Sequence, residues 1–101
     1  MESTAPIGRS GMIEAEATLL AQMQAGDENA FEACVRSHCG RLPVVARRIL
    51  HNEEDAHDAV QEAFLAAFKD IGQFKGLSRL GTWLHRIVVN AALGRRRSRQ
   101  R

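Results

Sequence analysis

Apolar residues along this chain recur mostly at intervals of three and four, the spacing of one face of an α-helix, and seldom alternate as a strand would. Between Ile13 and Ala25 the residues Ile13, Ala17, Leu20 and Met23 share a face. Gly26 and Asp27 then supply a stop and a capping residue for the next helix. That helix carries Phe31, Val35, His38, Leu42, Val45 and Ile49 in one stripe. Gly40 and Pro43 fall inside the stripe, and a proline removes an N–H and crowds the preceding turn, so a kink or a break is expected there. His51-Asn52-Glu53-Glu54-Asp55 reads as a turn, a cap and three acids where a helix dipole favours negative charge. The helix that follows runs to about Ile71, with Ala56, Val60, Ala63, Phe64, Ala67, Phe68 and Ile71 on its apolar face, and Gly72 ends it. Residues 72 to 79 form a loop closed by Ser78, a possible cap for the last helix. That helix shows Leu80, Trp83, Leu84, Ile87, Val88, Ala91 and Ala92 on one side. Beyond Gly94 the arginine-rich run has no apolar face and is expected to be frayed helix or tail.

Length and composition turn these elements into a fold class. A chain of 101 residues holds one core, and 45% apolar with 26% charged residues suits a globular domain. With two prolines, no tyrosine and no alternating β-branched runs, the expectation is an all-α, compact three- to four-helix domain over residues 12–97. Residues 1–11 are expected to be a disordered lead-in and residues 98–101 a basic tail. No apolar run approaches the roughly 20 residues of a membrane span, and Met1 to Gly11 lack the basic and apolar regions of a signal peptide. The expected location is cytoplasmic, without a membrane partner.

Charge divides the chain. The net charge of +2 conceals a net −6 over residues 1–70, which hold all 12 acids, and a net +8 over residues 71–101, which hold none. Such a layout suggests two kinds of partner, one of them a polyanion, although basic tails also serve solubility alone.

Catalytic chemistry finds little footing. His38, His51, His57 and His85 are scattered and stand beside no nucleophile turn, and the acids around Glu53 are explained by the helix dipole. Cys34, His38 and Cys39 have helical spacing for metal ligation but lack a second ligand pair, so no cofactor or metal is expected. Cys34 reads as a small buried hydrophobe and Cys39 as an incidental thiol. The denser signal lies further on. Phe74, Lys75, Arg79, Trp83, His85, Arg86 and Asn90 combine aromatic, cationic and amide groups, the mixture that single-stranded nucleic acid requires. Trp83 lies on the apolar stripe and reads as core. Lys75, Arg79 and Arg86 have no acid within the segment to pair with, which favours an outside partner.

The segment from Phe74 through Asn90, FKGLSRLGTWLHRIVVN, closely resembles the end of the core domain of extracytoplasmic-function sigma factors of bacterial RNA polymerase. Upstream, EDAHDAVQEAFL from Glu54 to Leu65 is similar to that family's polymerase-docking helix, and AGDENAF from Ala25 to Phe31 to its entry into helix two. The three blocks occur in the family's order, and with the segments between them cover about residues 13 to 97.

The resemblance implies a sigma region 2 fold with two binding duties. Asp58, Gln61 and Glu62 match positions that dock on the clamp coiled coil of the largest subunit of the RNA polymerase core. Phe74, Lys75, Gly76, Leu77, Ser78 and Arg79 match the loop that captures an everted base of the promoter minus-ten element from the non-template single strand, with Asn90 supporting the pocket. Arg86, Arg95, Arg96 and Arg97 would hold phosphates. Four positions depart from the family: Gly94 stands where an acid is frequent, Leu77 where a polar residue is common, and His38 and Pro43 are unusual in helix two. The family's second domain, which reads the minus-thirty-five element, does not follow Arg101, so the expectation is a piece cut from a longer protein, with a naturally short protein as the alternative. Family members are commonly sequestered by an anti-sigma factor, so a helical interaction module without its own DNA recognition stands as the alternative.

Overall fold

The break expected near Pro43 is real, and it sets the architecture. The computed structural model describes residues 14–99. In it α1 spans Glu14–Gln24, α2 Glu28–His38, α3 Leu42–Leu50, α4 Glu53–Asp70 and α5 Leu80–Arg99, with a 3-10 turn at Ile71–Gln73. The single stripe from Phe31 to Ile49 is thus shared by two helices, and Pro43 sits in the first turn of α3, where its missing N–H costs nothing. The fold is all-α, with one more helix than the three to four expected. The lead-in, Met12, Ile13 and the last two residues lie outside the described residues.

Local chemistry explains each boundary. Gly26 adopts φ +93, a left-handed conformation that ends α1 without strain. Asp27 follows as a true cap, its Oδ1 accepting from the N–H groups of Asn29 and Ala30 at 2.9 and 3.3 Å. Asn52 caps α4 by accepting from Asp55 N–H at 2.9 Å, and Glu53, Glu54 and Asp55 fill the first turn.

The core lies where α3, α4 and α5 meet, and α1 packs along α2 and the 3-10 turn. Ala56, Ala59, Ala63 and Ala67 of α4 are at most 2% exposed, so their small side chains let neighbouring helices approach closely. Leu42 of α3 and Leu80, Leu84 and Val88 of α5 fill the space they leave. Phe68, expected on the buried face, is 42% exposed because it stands at the edge of α4, its ring against that of Phe31 at 4.8 Å, edge to face.

The arginine run after Gly94 is helical through Arg99 rather than frayed. Its support comes from outside the run. Arg99 grips Asp55 with Nε to Oδ2 at 2.6 Å and Nη2 to Oδ1 at 3.0 Å, and Asp55 is buried at 6% exposure. Arg95 Nε lies 3.4 Å from Glu62, an ionic contact without hydrogen-bond geometry. Acids of α4 therefore offset the self-repulsion of the cations on α5. Asp55→Asn should lower stability by about 1–2 kcal/mol, the scale of a lost charged hydrogen bond, and amide exchange should quicken in the last turn of α5 before it does in α4. Equal acceleration in both helices would contradict this assignment.

Candidate nucleic-acid interface

The segment between Ile71 and Leu80 is built to stand out from the helices. Phe74 and Trp83 stack with ring centres 4.7 Å apart and planes 26° from parallel, both half-buried against the core, and they form the wall at the loop's base. Trp83 is thus part of the packing, as its place on the stripe implied. Gly76 is buried with φ +74, a backbone that an L side chain would strain, so its part in the loop is the turn itself. That turn carries Leu77 outward. Leu77 is 77% exposed, and Lys75 beside it is exposed as well.

Both ends of the loop are held from α1, a connection that no local pattern signalled. Gln24 Nε2 donates to the carbonyl oxygens of Ile71 at 2.9 Å and Phe74 at 3.1 Å. Glu16 Oε2 accepts from Arg79 Nε at 3.0 Å and Nη2 at 2.6 Å, and its Oε1 accepts from Leu80 N–H at 3.3 Å. Two expectations are corrected here. Arg79 has an acidic partner after all, supplied by α1 across 63 residues. Ser78 does not cap α5, because its hydroxyl donates to the Arg79 carbonyl while Glu16 takes the first N–H.

The Arg79 hydrogen bond, above all, holds the Glu16 carboxyl below its ordinary value of 4.5, against the opposing effect of burial and with help from Leu80 N–H. A lowered folded-state value means that the stabilisation is complete above pH 4.5 and is lost as pH falls below it. The stability difference between the parent and Glu16→Gln should therefore stay constant at neutral pH and shrink in acid, as thermal melts at stepped pH would report. A difference that grows in acid would reverse the assignment.

Along α5 the exposed residues Arg86, Asn90 and Arg97 lie within about 40° of one another around the helix, over roughly 16 Å of its length. Arg96 is exposed next to them, and none of Lys75, Arg86, Arg96 and Arg97 has an ion-pair partner among the described residues. Asn90 stands about 15 Å along the axis from Leu80, in a cleft of about 440 Å³ shared with Glu62, Arg95 and Arg99. A second cleft of about 410 Å³ at the start of α5 brings together His38, Arg41, Arg79, Thr82 and His85 with Glu16.

Asp58, Gln61 and Glu62 are all exposed on one side of α4, within an arc of about 100°. Glu62 faces Arg95, so one residue of the acidic set and one of the basic set meet each other. Gln61 borders an apolar groove of about 340 Å³ walled by Phe31, Val35, Phe64, Leu65 and Phe68, with Leu65 68% exposed. The periodic pattern alone had not set Leu65 apart.

Cys34 and His38 are adjacent, but the imidazole is turned to the backbone, donating from Nδ1 to the Cys34 carbonyl at 2.9 Å. Among the described residues no three of His, Cys, Asp and Glu converge as a metal cluster. Burial pushes the Cys34 thiol up to about 11, whereas Cys39 is exposed. One thiol per chain, Cys39, should alkylate in the native protein, and Cys34 only after denaturation. Equal rates read by peptide mapping would contradict the burial.

The sigma-70 region 2 family matches residues 34–101. The ECF RNA polymerase sigma factor SigM of Mycobacterium tuberculosis is 44% identical over 92 residues, which are 90% of this chain and 47% of that protein. The RNA polymerase sigma-H factor of Pseudomonas aeruginosa is 35% identical over 79 residues, 78% of this chain and 41% of that protein. The chain thus spans less than half the length of these relatives. A solved NMR structure of an engineered region 2 of sigmaE in complex with GTAAAA superposes with a TM-score of 0.78 at 30% identity, covering 85% of this chain and 90% of that one. No described helix is long and apolar enough to cross a membrane.

Proposed function

The chain belongs to the sigma-70 region 2 family, and on that premise we propose that it is the part of an alternative sigma factor that binds RNA polymerase core and recognises and melts the promoter minus-ten element. It works in the cytoplasm as a binding domain and performs no bond-making chemistry of its own. The observation that carries this reading is the loop: an exposed Leu77 and Lys75 in a segment anchored by the Phe74–Trp83 stack, in a fold similar to a sigmaE region 2 solved with GTAAAA. An everted base needs an apolar surface to replace its stacking and a cation for its phosphate. Unstacking costs a few kcal/mol, which such contacts must return. Arg86, Asn90 and Arg97 continue the track along α5, where cations follow the backbone and the amide reads a base edge.

Asp58, Gln61 and Glu62 form the polymerase face, meeting the clamp coiled coil of the largest subunit, and the apolar groove beside Gln61 extends it. That groove also supports a second partner for the same face, an anti-sigma factor that would exclude polymerase by occupying it. Fluorescence anisotropy separates the reading from generic polyanion binding. Single-stranded DNA should bind at least tenfold more tightly than duplex of the same sequence, with affinity falling steeply as salt rises. Tighter binding to duplex would overturn it.

A further inference from the structure

We propose that α1 is a two-point clamp that pre-shapes the loop from Ile71 to Leu80 for the base it captures, with Glu16 and Gln24 as positioning residues. The inference rests on the base-capture reading above. Its basis is that two polar side chains of one helix, eight residues apart, reach opposite ends of the same loop. Along the helix axis those residues stand roughly 12 Å apart, whereas a chain of the loop's length could extend to about 30 Å. Held at both ends, the segment has to bow outward. Its apex is the left-handed turn at Gly76 that presents Leu77.

The bonds fall where the loop lacks support of its own. Within it, the Phe74 N–H bond to the Ile71 carbonyl, 3.2 Å, closes the 3-10 turn, and the ladder of α5 begins with Trp83 N–H on the Arg79 carbonyl at 3.1 Å. Between those two bonds the shape depends on the aromatic stack and on α1. Glu16 performs two tasks at once. It replaces the cap that Ser78 does not provide, and its carboxylate, on a side chain only 15% exposed, holds the half-exposed Arg79 guanidinium against α1. A loop whose shape is fixed in advance loses less conformational freedom on binding, which raises affinity for the one base that fits it and not for DNA in general. Tethering Arg79 to Glu16 has the same sense, since a cation free to sweep the surface would bind any phosphate.

The test uses the full chain, with Glu16→Gln, Gln24→Ala and the double variant. Without DNA, amide exchange across residues 74–80 should quicken at least tenfold in the double variant, while the α4 amides keep the parent rates. On an array of single-stranded DNA hexamers, the spread between the tightest and the median sequence should narrow about tenfold. The median affinity should hold or rise as Arg79 is released. General structural damage would lower both. Glu16→Asp, which retains the charge, should recover part of the spread. A double variant with unchanged loop exchange overturns the clamp, as does one whose loop loosens while the spread persists. A parent protein with no spread at all overturns the base-capture reading instead, and the exchange data still judge the clamp.

Discussion

Asp58→Lys should abolish capture of RNA polymerase core at domain concentrations that saturate the parent, with the helical circular dichroism unchanged. Asp58 is the member of the docking set best suited to this measurement. It is exposed on α4, has no ion-pair partner among the described residues, and shares a shallow recess with Glu53, Glu54 and His57. Its replacement therefore breaks no ion pair among the described residues. A reversed charge set against a basic partner surface costs about 3 kcal/mol, or more than a hundredfold in affinity. Glu62→Lys is a poorer probe, because it would place a cation against Arg95, 3.4 Å from the present carboxylate, and unsettle α5 as well. Capture of core by Asp58→Lys within threefold of the parent would remove α4 from the interface.

Lys75→Ala and Asn90→Ala together should weaken binding of the preferred single strand by about fiftyfold, and the two changes should differ in kind. Lys75 is exposed beside the loop apex, where we propose that it meets a phosphate. Its loss should cost about fivefold for every sequence and lower the salt slope by roughly 0.7, the share of one contact to a single strand. Asn90 carries no charge, so its loss should cost about tenfold for the preferred sequence and little for others, leaving the salt slope in place. Lys75 belongs to the loop and Asn90 to a cleft with Glu62, Arg95 and Arg99, so if they contact different nucleotides their costs should multiply. Isothermal titration at several salt concentrations separates the two signatures. A salt slope that changes with Asn90→Ala and not with Lys75→Ala would exchange their roles.

Much of this arrangement was legible in the sequence because its causes are local. The caps at Asp27 and Asn52, the stop at Gly26 and the interruption at Pro43 each act within a few residues, and each lies where the pattern placed it. The same holds for the apolar faces of α4 and α5, since burial follows helical period. What escaped the pattern acts across the chain. Glu16 and Gln24 hold the loop over separations of 47 to 64 residues, and no feature of their own neighbourhood announces it. For the same reason Arg79 looked unpaired and the arginine run looked unsupported. Their acids are remote in sequence and adjacent in space. Phe68 fell outside the core because a periodic face does not show how far the neighbouring helix extends over it.

The pairing of acids with bases also changes the meaning of the divided charge. Glu16–Arg79, Glu62–Arg95 and Asp55–Arg99 join the two halves, so part of the +8 is spent within the fold. Lys75, Arg86, Arg96 and Arg97 remain exposed and outside those pairs, and they form the cationic track that a strand would follow. The measurement that reaches the centre of the account is selection of single-stranded DNA from a random-sequence pool by the isolated chain at physiological salt. Convergence on one short motif, bound at least tenfold more tightly than its scrambled counterpart, is the result predicted by a loop that captures a particular base. A selected pool as diverse as the starting one would contradict it.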